Sequence, residues 1–441
     1  MSGRTPFPVR LVLIAMTLAV GCGCGGGGNP GGGGGGTGSI SSVTATCAET
    51  TLPVGLMDLC SAQVHGTGSF NTAVTWSTTA GSITSGGVLT LPTAPGIATV
   101  TATAVGDTSK SDSATITVTA AQHAGFTYYG MNHVSWSAGE YSSAAGSDSE
   151  DALAATGTPW AGVLVTWYQA DAHATTIAPQ SYSPTDNDVI SAITELHSKG
   201  VKVMLKPHVD ALDGSWRGTF QPSDVNAWFA SFTNFIVHWA QLAQAQGVEL
   251  LCFGTEYTML TGASNLARWT SVINTIRSNY SGPLTYAANA TFGGDEFTSV
   301  AFWNQVDVIG LDAYFPLTNH NDPTLAELVQ AWSNNRNGEN IVAAVENFAG
   351  AHPGQPVIFT EIGYRSLAGA NSAPWDWSVS GTADPMEQQL CYEALYEVWS
   401  QHGSAMTGNF WWAWPVPVPG AADTDYNPRS KPAQTVLENW N

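Results

Sequence analysis

The sequence predicts an α/β chain: a closed (β/α)8 TIM barrel carrying the bulk of the residues, with a small N-terminal β-sandwich ahead of it. Three observations carry this. A length of 441 residues exceeds one ordinary core and suits two domains plus a tail. Residues 40–120 are rich in Thr, Val and Ala, with turn residues at short intervals and no helical periodicity. From residue 124 to 441, apolar strand-like runs alternate with amphipathic helical stretches, the pattern of a parallel sheet covered by helices.

The N-terminus reads as an address. Arg4 and Arg10 flank the start of an apolar run over residues 11–20, too short for a permanent membrane span and of signal-peptide character. The string Leu18-Ala19-Val20-Gly21-Cys22 resembles a bacterial lipobox. That resemblance implies a signal peptide over 1–21, lipidation of Cys22 and an exported protein anchored to the cell envelope or cell surface. Simple secretion with a coincidental cysteine is the alternative. Residues 22–39 are mostly glycine and read as a flexible linker. The G-x-G-x-x-G match at Gly21, Gly23 and Gly26 follows no strand and opens no helix, so it carries no nucleotide meaning.

In the small domain, Ala73-Val74-Thr75-Trp76-Ser77, Gly96-Ile97-Ala98-Thr99-Val100-Thr101-Ala102 and Ala114-Thr115-Ile116-Thr117-Val118 alternate as half-buried strands do. The segment looks like a bacterial immunoglobulin-like (group 2) domain, which implies a spacer role. Cys47 and Cys60 could close a small loop in an oxidising compartment or remain thiols. Cys252 and Cys391 fall in a predicted strand and helix and read as buried thiols; no cysteine or histidine spacing suggests a metal.

Eight barrel strands are expected near 126–136, 160–169, 201–210, 248–256, 283–290, 306–316, 356–364 and 406–415. A helix is expected after each, for example over 186–199, 224–246, 265–279, 324–332, 385–402 and 432–440. A doubly wound open sheet is the rival, but its glycine-rich first turn is missing.

A formal charge of −21 repels phosphate backbones and anionic lipid, so nucleic acid is excluded as a partner and the membrane is reached only through the anchor. A neutral polymer meets no such penalty. Seventeen tryptophans fit a groove that stacks on flat apolar faces, with a tryptophan-rich core as the plainer reading for about half of them. There is no G-x-S-x-G elbow, Walker sequence or H-E-x-x-H, and no cofactor is expected.

In such a barrel, polar residues at the carboxyl ends of strands read as functional. Glu256 ends the fourth strand and Glu361 the seventh. Glycosidic hydrolysis needs one group to protonate the leaving oxygen and another to meet the developing cation; in retaining enzymes the two carboxyls lie about 5–5.5 Å apart. Strand alternation puts Glu256 on one face with Leu250, Cys252 and Gly254. It points Glu361 inward with Val357 and Phe359, leaving Thr360 to the helices. Lys206, His208 and Asp210 share a face that is expected to line the mouth.

The strings Val203-Met204-Leu205-Lys206-Pro207-His208-Val209-Asp210, Gly214-Ser215-Trp216-Arg217-Gly218, Phe253-Gly254-Thr255-Glu256, Asp312-Ala313-Tyr314-Phe315-Pro316 and Phe359-Thr360-Glu361-Ile362-Gly363-Tyr364-Arg365-Ser366 resemble glycoside hydrolase family 113. Pro374-Trp375, Phe410-Trp411-Trp412-Ala413-Trp414 and Lys431-Pro432-Ala433 do so as well, so the resemblance covers essentially the whole barrel. It implies a retaining endo-β-1,4-mannanase with Glu256 as acid/base and Glu361 as nucleophile. Most of the wider clan has Asn immediately before the acid/base; here Thr255 stands there, which leaves the sugar 2-hydroxyl contact unassigned.

The other strand-end residues are expected to bind substrate: Trp167, Lys206, His208, Asp210, Trp216, Asn289, Asp312, Tyr314, Trp412 and Trp414. Tyr314 could instead hydrogen-bond Glu361, Lys206 could pair with a carboxylate, and His208 could be a satisfied core histidine. The same mechanism on another β-linked glycan, or a non-catalytic glycan-binding lipoprotein, are the alternatives for the whole chain.

Overall fold

The structure, a computed structural model, describes residues 38–291, 295–420 and 422–441. The expected signal segment, Cys22 and nearly all of the linker lie outside the described residues. No helix among the described residues is long and apolar enough to cross a membrane.

The N-terminal domain contains β1 (Ser39–Cys47), β2 (Thr51–Pro53), β3 (Met57–Thr67), β4 (Val74–Thr78), β5 (Ser82–Ile83), β6 (Val88–Thr90), β7 (Gly96–Ala104) and β8 (Ser111–Thr119). They form two four-stranded sheets, ordered β1-β3-β6-β5 and β2-β8-β7-β4. Alternating residues such as Ala98, Val100, Ile116 and Val118 turn one face of the second sheet inward, where they meet Cys60 and Leu89 of the first. A disulfide joins Cys47 to Cys60 across neighbouring strands, so the open question about these cysteines resolves as a bridge.

The barrel strands are β9 (Tyr128–Val134), β10 (Trp160–Gln169), β11 (Lys202–Ala211), β12 (Leu250–Thr255), β13 (Leu284–Asn289), β14 (Val308–Asp312), β15 (Val357–Ile362) and β16 (Gly408–Pro415). All pair in parallel in chain order, and β16 closes on β9. Its helices are α1 (Ala144–Ala155), α2 (Asp186–Ser198), α3 (Val225–Gln246), α4 (Leu266–Arg277), α5 (Leu325–Ala331), α6 (Ile341–Ala351), α7 (Pro385–Trp399) and α8 (Pro432–Trp440). Local signals set their ends. Thr185 with Asp188, and Thr324 with Glu327, form reciprocal capping boxes, and Gly247 stops α3 in the left-handed region at φ 67°.

The expectation of a helix after every strand fails once. Between β13 and β14 the described residues hold only single-turn 3-10 helices, Glu296–Thr298 and Trp303–Gln305. That stretch includes Gly293-Gly294 and has no apolar run long enough for several turns. The β14-to-β15 connection carries two helices, α5 and α6.

Inside the barrel, Trp160, Met204, Leu250, Cys252, Ala287, Val308, Ile358 and Phe410 pack as one cluster. Neighbouring strand positions turn outward to an aromatic layer that includes Trp228, Phe232, Trp269 and Trp399.

The small domain is docked on this barrel by hydrogen bonds at three places. Gln389 of α7 accepts from the Met57 amide and donates to its carbonyl, both at 2.9 Å. Glu49 accepts from the Leu325 amide at the start of α5 at 2.7 Å, and Asn439 of α8 donates to the Val54 carbonyl at 2.8 Å.

Candidate active site

A cavity of about 720 Å³ opens at the carboxyl ends of the barrel strands, and Glu256 and Glu361 both line it. The strand ends that present them depart from regular pleating.

Glu256 follows β12, whose pairing with β13 slips between Cys252 and Thr255. Leu250 and Cys252 face the barrel interior as expected, but Gly254 does not join them. A side chain there would meet the rings of Tyr286 at 2.8 Å and Tyr257 at 3.0 Å. Glu256 itself sits at φ 55°, a left-handed backbone that costs a non-glycine residue about 1–2 kcal/mol and is kept where surrounding bonds enforce it. Its amide donates to the Ala287 carbonyl at 2.8 Å. Its carboxylate accepts from Asn289 Nδ2 at 3.0 Å and from Trp216 Nε1 at 3.2 Å, with Arg217 Nη1 at 3.8 Å.

Glu361 lies in β15, and a second register slip falls beside it: Leu311 pairs with Phe359, whereas Asp312 pairs with Glu361. This overturns the simple alternation. Val357 and Phe359 face the helix layer, with Phe359 against Trp332 and Trp399. Ile358 points inward, and so does Thr360, which donates to Asp312 Oδ1 at 2.8 Å. The slip leaves Glu361 free to reach the mouth. There it accepts from the Tyr314 hydroxyl at 2.9 Å and from the Lys206 ammonium.

Several expected substrate ligands sit underneath the cavity instead. Lys206 is fully buried and bridges Glu361 and Asp312, the latter at 3.1 Å. Burial alone would lower the lysine, but the two carboxylates outweigh it and hold the ammonium above its usual range. Asp312 is equally buried; burial first, then Glu361, raises its carboxyl well above the ordinary value. His208 stacks parallel to Trp412, with its Nε2 3.7 Å from Glu361. Burial, aided by nearby Arg217 and Lys206, pushes its imidazole far below the usual range, so it is neutral. Asp210 is occupied by Arg217, whose Nη2 is 2.6 Å away. Of the three residues expected at the mouth from β11, Lys206 therefore supports the carboxylates directly and Asp210 acts through Arg217, while none of Lys206, His208 and Asp210 stands in the cavity wall.

Two tryptophans are elsewhere. Trp167 points outward against Phe235, His238 and Trp239 of α3, because odd positions of β10 face the helices. Trp414 is fully buried; its Nε1 donates to the Ser149 carbonyl and Arg429 lies over its ring. A register slip between Trp411 and Trp414 separates it from Trp412, which does line the cavity. Trp216, Asn289 and Tyr314 line it as expected. Thr255 is buried with its hydroxyl unpartnered, so it offers nothing to a sugar.

The sequence reading missed Arg217, Trp136, Trp375, Trp377 and Tyr426, all in the cavity wall. Arg217 lies three residues past Gly214 in the loop after β11, within the Gly214–Gly218 string that resembles the family. Trp375 and Trp377 ride on the long loop after β15, and this pair of tryptophans directly after Pro374 was the available signal. Five of the chain's seventeen tryptophans line this cavity. Burial would lower Arg217, but Asp210, Glu256 and Glu361 outweigh it and keep the guanidinium firmly charged.

Beneath Glu256 lies another carboxyl. Glu296, fully buried, accepts from the Tyr286 hydroxyl at 2.6 Å, the Thr261 hydroxyl at 2.9 Å and the Asn289 amide at 2.9 Å. Burial pushes it up to about 7 against the pull of those bonds.

An acidic pair at the fourth and seventh strand ends, set among tryptophans in an open cleft, is the architecture of a glycoside hydrolase. The chain belongs to glycoside hydrolase family 113, whose model matches residues 128–431. Among solved structures, a family 113 β-mannanase from Alicyclobacillus acidocaldarius, AaManA, is 26% identical, with a TM-score of 0.63 over 71% of this chain and 97% of that one. A family 113 β-1,4-mannanase solved as a complex is 23% identical, with a TM-score of 0.61 over 70% of this chain and 96% of that one. No curated protein matches the chain by sequence.

Proposed function

We propose that the protein is a retaining, endo-acting β-1,4-mannanase that uses Glu256 as acid/base and Glu361 as nucleophile. The observation that carries this is the differing support of two carboxylates on one cavity: Lys206 and Tyr314 hold Glu361, Asn289 and Trp216 hold Glu256. The mannanase AaManA supplies the substrate class.

In the first step, Glu361 attacks the anomeric carbon while Glu256 gives its proton to the departing sugar oxygen, forming a covalent glycosyl-enzyme. Lys206, from beneath the cleft, and Tyr314, in its wall, orient the attacking carboxylate. In the second step, Glu256 takes a proton from water, whose oxygen attacks the anomeric carbon from the face the first sugar vacated and expels Glu361 from the opposite face; the two inversions together retain configuration. The tryptophans offer flat apolar surfaces to the sugar rings. The lipobox resemblance at Cys22 supports display on a lipid anchor outside the cytoplasm.

Incubation with mannan, glucan and xylan, followed by a reducing-end assay and proton NMR of the first-formed anomer, tests the reading. Release from mannan alone with retained configuration is expected. Inversion, or preferential release from glucan or xylan, overturns the corresponding part. Glu361→Ala and Glu256→Ala are each expected to abolish turnover of mannan while the fold persists.

A further inference from the structure

Glu256 is held in an unusual backbone state, and its carboxylate bonds alone do not explain what holds it. The amide of the next residue, Tyr257, donates to the Tyr286 hydroxyl at 2.7 Å. That hydroxyl donates in turn to Glu296 Oε1. The second side of Glu256 depends on Asn289, whose Nδ2 bonds its carboxylate and whose backbone amide is fixed by Glu296 Oε2. Thr261, in the loop between β12 and α4, donates to Glu296 as well. One buried carboxylate thus ties together the turn that carries Glu256, the end of β13 that carries Asn289, and the loop beyond β12.

All three of these contacts use donors directed at Glu296, and its side chain is closed off from the cavity. It cannot touch substrate. A fully buried carboxyl on a single-turn helix is expensive to desolvate, and burying it only to fill space would be served better by an apolar residue. Its geometric consequence is to fix the angle between two adjacent strand ends whose side chains meet at Glu256.

We propose that Glu296 is a positioning residue for Glu256, setting the direction in which that carboxyl faces the leaving oxygen. The inference rests on Glu256 being the proton donor. A small error in that direction lengthens the proton transfer and costs rate only when the leaving group needs a proton.

The test compares two probes on the full chain: an unactivated manno-oligosaccharide and a dinitrophenyl manno-oligoside, whose leaving group departs without protonation. The readout is kcat/KM, which reports the first step alone. For Glu296→Gln, of the same shape but with an amide donor facing one of three donors, kcat/KM on the oligosaccharide is expected to fall at least about tenfold. On the dinitrophenyl probe it is expected to fall by less than about threefold. Tyr286→Phe, which cuts only the arm to the Tyr257 amide, should show the same split in smaller measure and serves if the first variant does not fold. Equal losses on both probes, or no loss on either, overturn the proposal. Glu256→Ala is the control: if it lacks the split, the reading of Glu256 fails; if it has the split and both variants lack it, only the role of Glu296 falls.

Discussion

Lys206 donates its ammonium to Glu361 from below, fully shut off from water. The same nitrogen serves Asp312, so one cation faces two carboxyls in the barrel interior. Burial and the neighbouring Glu361 raise the Asp312 carboxyl, and the lysine ammonium between the two acids balances the negative charge of the pair. Removing the cation strands that charge. Lys206→Met is expected to destabilise the fold by about 3–5 kcal/mol, the usual cost of breaking a buried pair from one side. Urea unfolding of the two proteins measures it. A variant as stable as the parent would show that the pair is not ionised.

Tyr314 fixes the other oxygen of the same carboxylate, at 2.9 Å. A hydrogen bond to a charged group is worth about 1.5–3 kcal/mol, or roughly 10–100-fold in rate when it holds the attacking atom in line. Tyr314→Phe should therefore lower kcat/KM by that range on both an activated and an unactivated substrate, because attack is common to both. This contrasts with a defect at Glu256. Loss confined to the unactivated substrate would place the tyrosine with the proton donor instead.

Trp377 is 70% exposed and lies in the cavity wall. No core depends on it, so its replacement tests stacking without testing folding. Trp377→Ala is expected to raise KM for long mannan about 3–10-fold, in line with aromatic stacking worth roughly 0.5–1.5 kcal/mol. Its melting temperature should stay at the parent value. Unchanged KM across chain lengths would remove this residue from substrate binding.

The barrel was legible because its strands and helices repeat with distinct periods, and the two glutamates because the fold places function at strand ends. Side-chain direction was less legible. Alternation assigned Val357 and Phe359 inward and Thr360 outward, and the slip at Asp312–Glu361 reversed all three. The same cause misplaced Trp414, two positions from Trp412 but across another slip. Irregular pairing near an active site re-aims side chains, and no local residue preference announces it. For Lys206 the sequence leaves substrate contact and a carboxylate partner both open, and for Asp312 it suggests substrate alone, because it shows polarity but not depth; the structure gives Lys206 the carboxylates. Arg217 and Trp377 escaped notice because they stand on loops, where periodicity says nothing.

The acidic composition has a consequence for stability that lies outside the cleft. Glu393 of α7 is buried; Oε2 accepts from Trp440 Nε1 at 2.9 Å, while Oε1 has no partner among the described residues. Burial pushes it from 4.5 up to about 8. Glu387 on the same helix and Glu296 are pushed to about 7, again by burial. Across that interval the folded chain keeps protons that the unfolded chain has released, so stability falls as pH rises from 4.5 through about 8. His208, neutral when folded, acts in the opposite sense, but only below the 6.5 at which its unfolded imidazole titrates. Above that value the carboxyls set the trend. The melting temperature should therefore drop by several degrees between about pH 6.5 and 8.5. Glu393→Gln keeps an oxygen for Trp440 and cannot ionise, so its curve should fall less steeply and meet that of the parent in mild acid. Parallel curves for the two proteins would show that Glu393 does not titrate in this range and that its burial is relieved in another way.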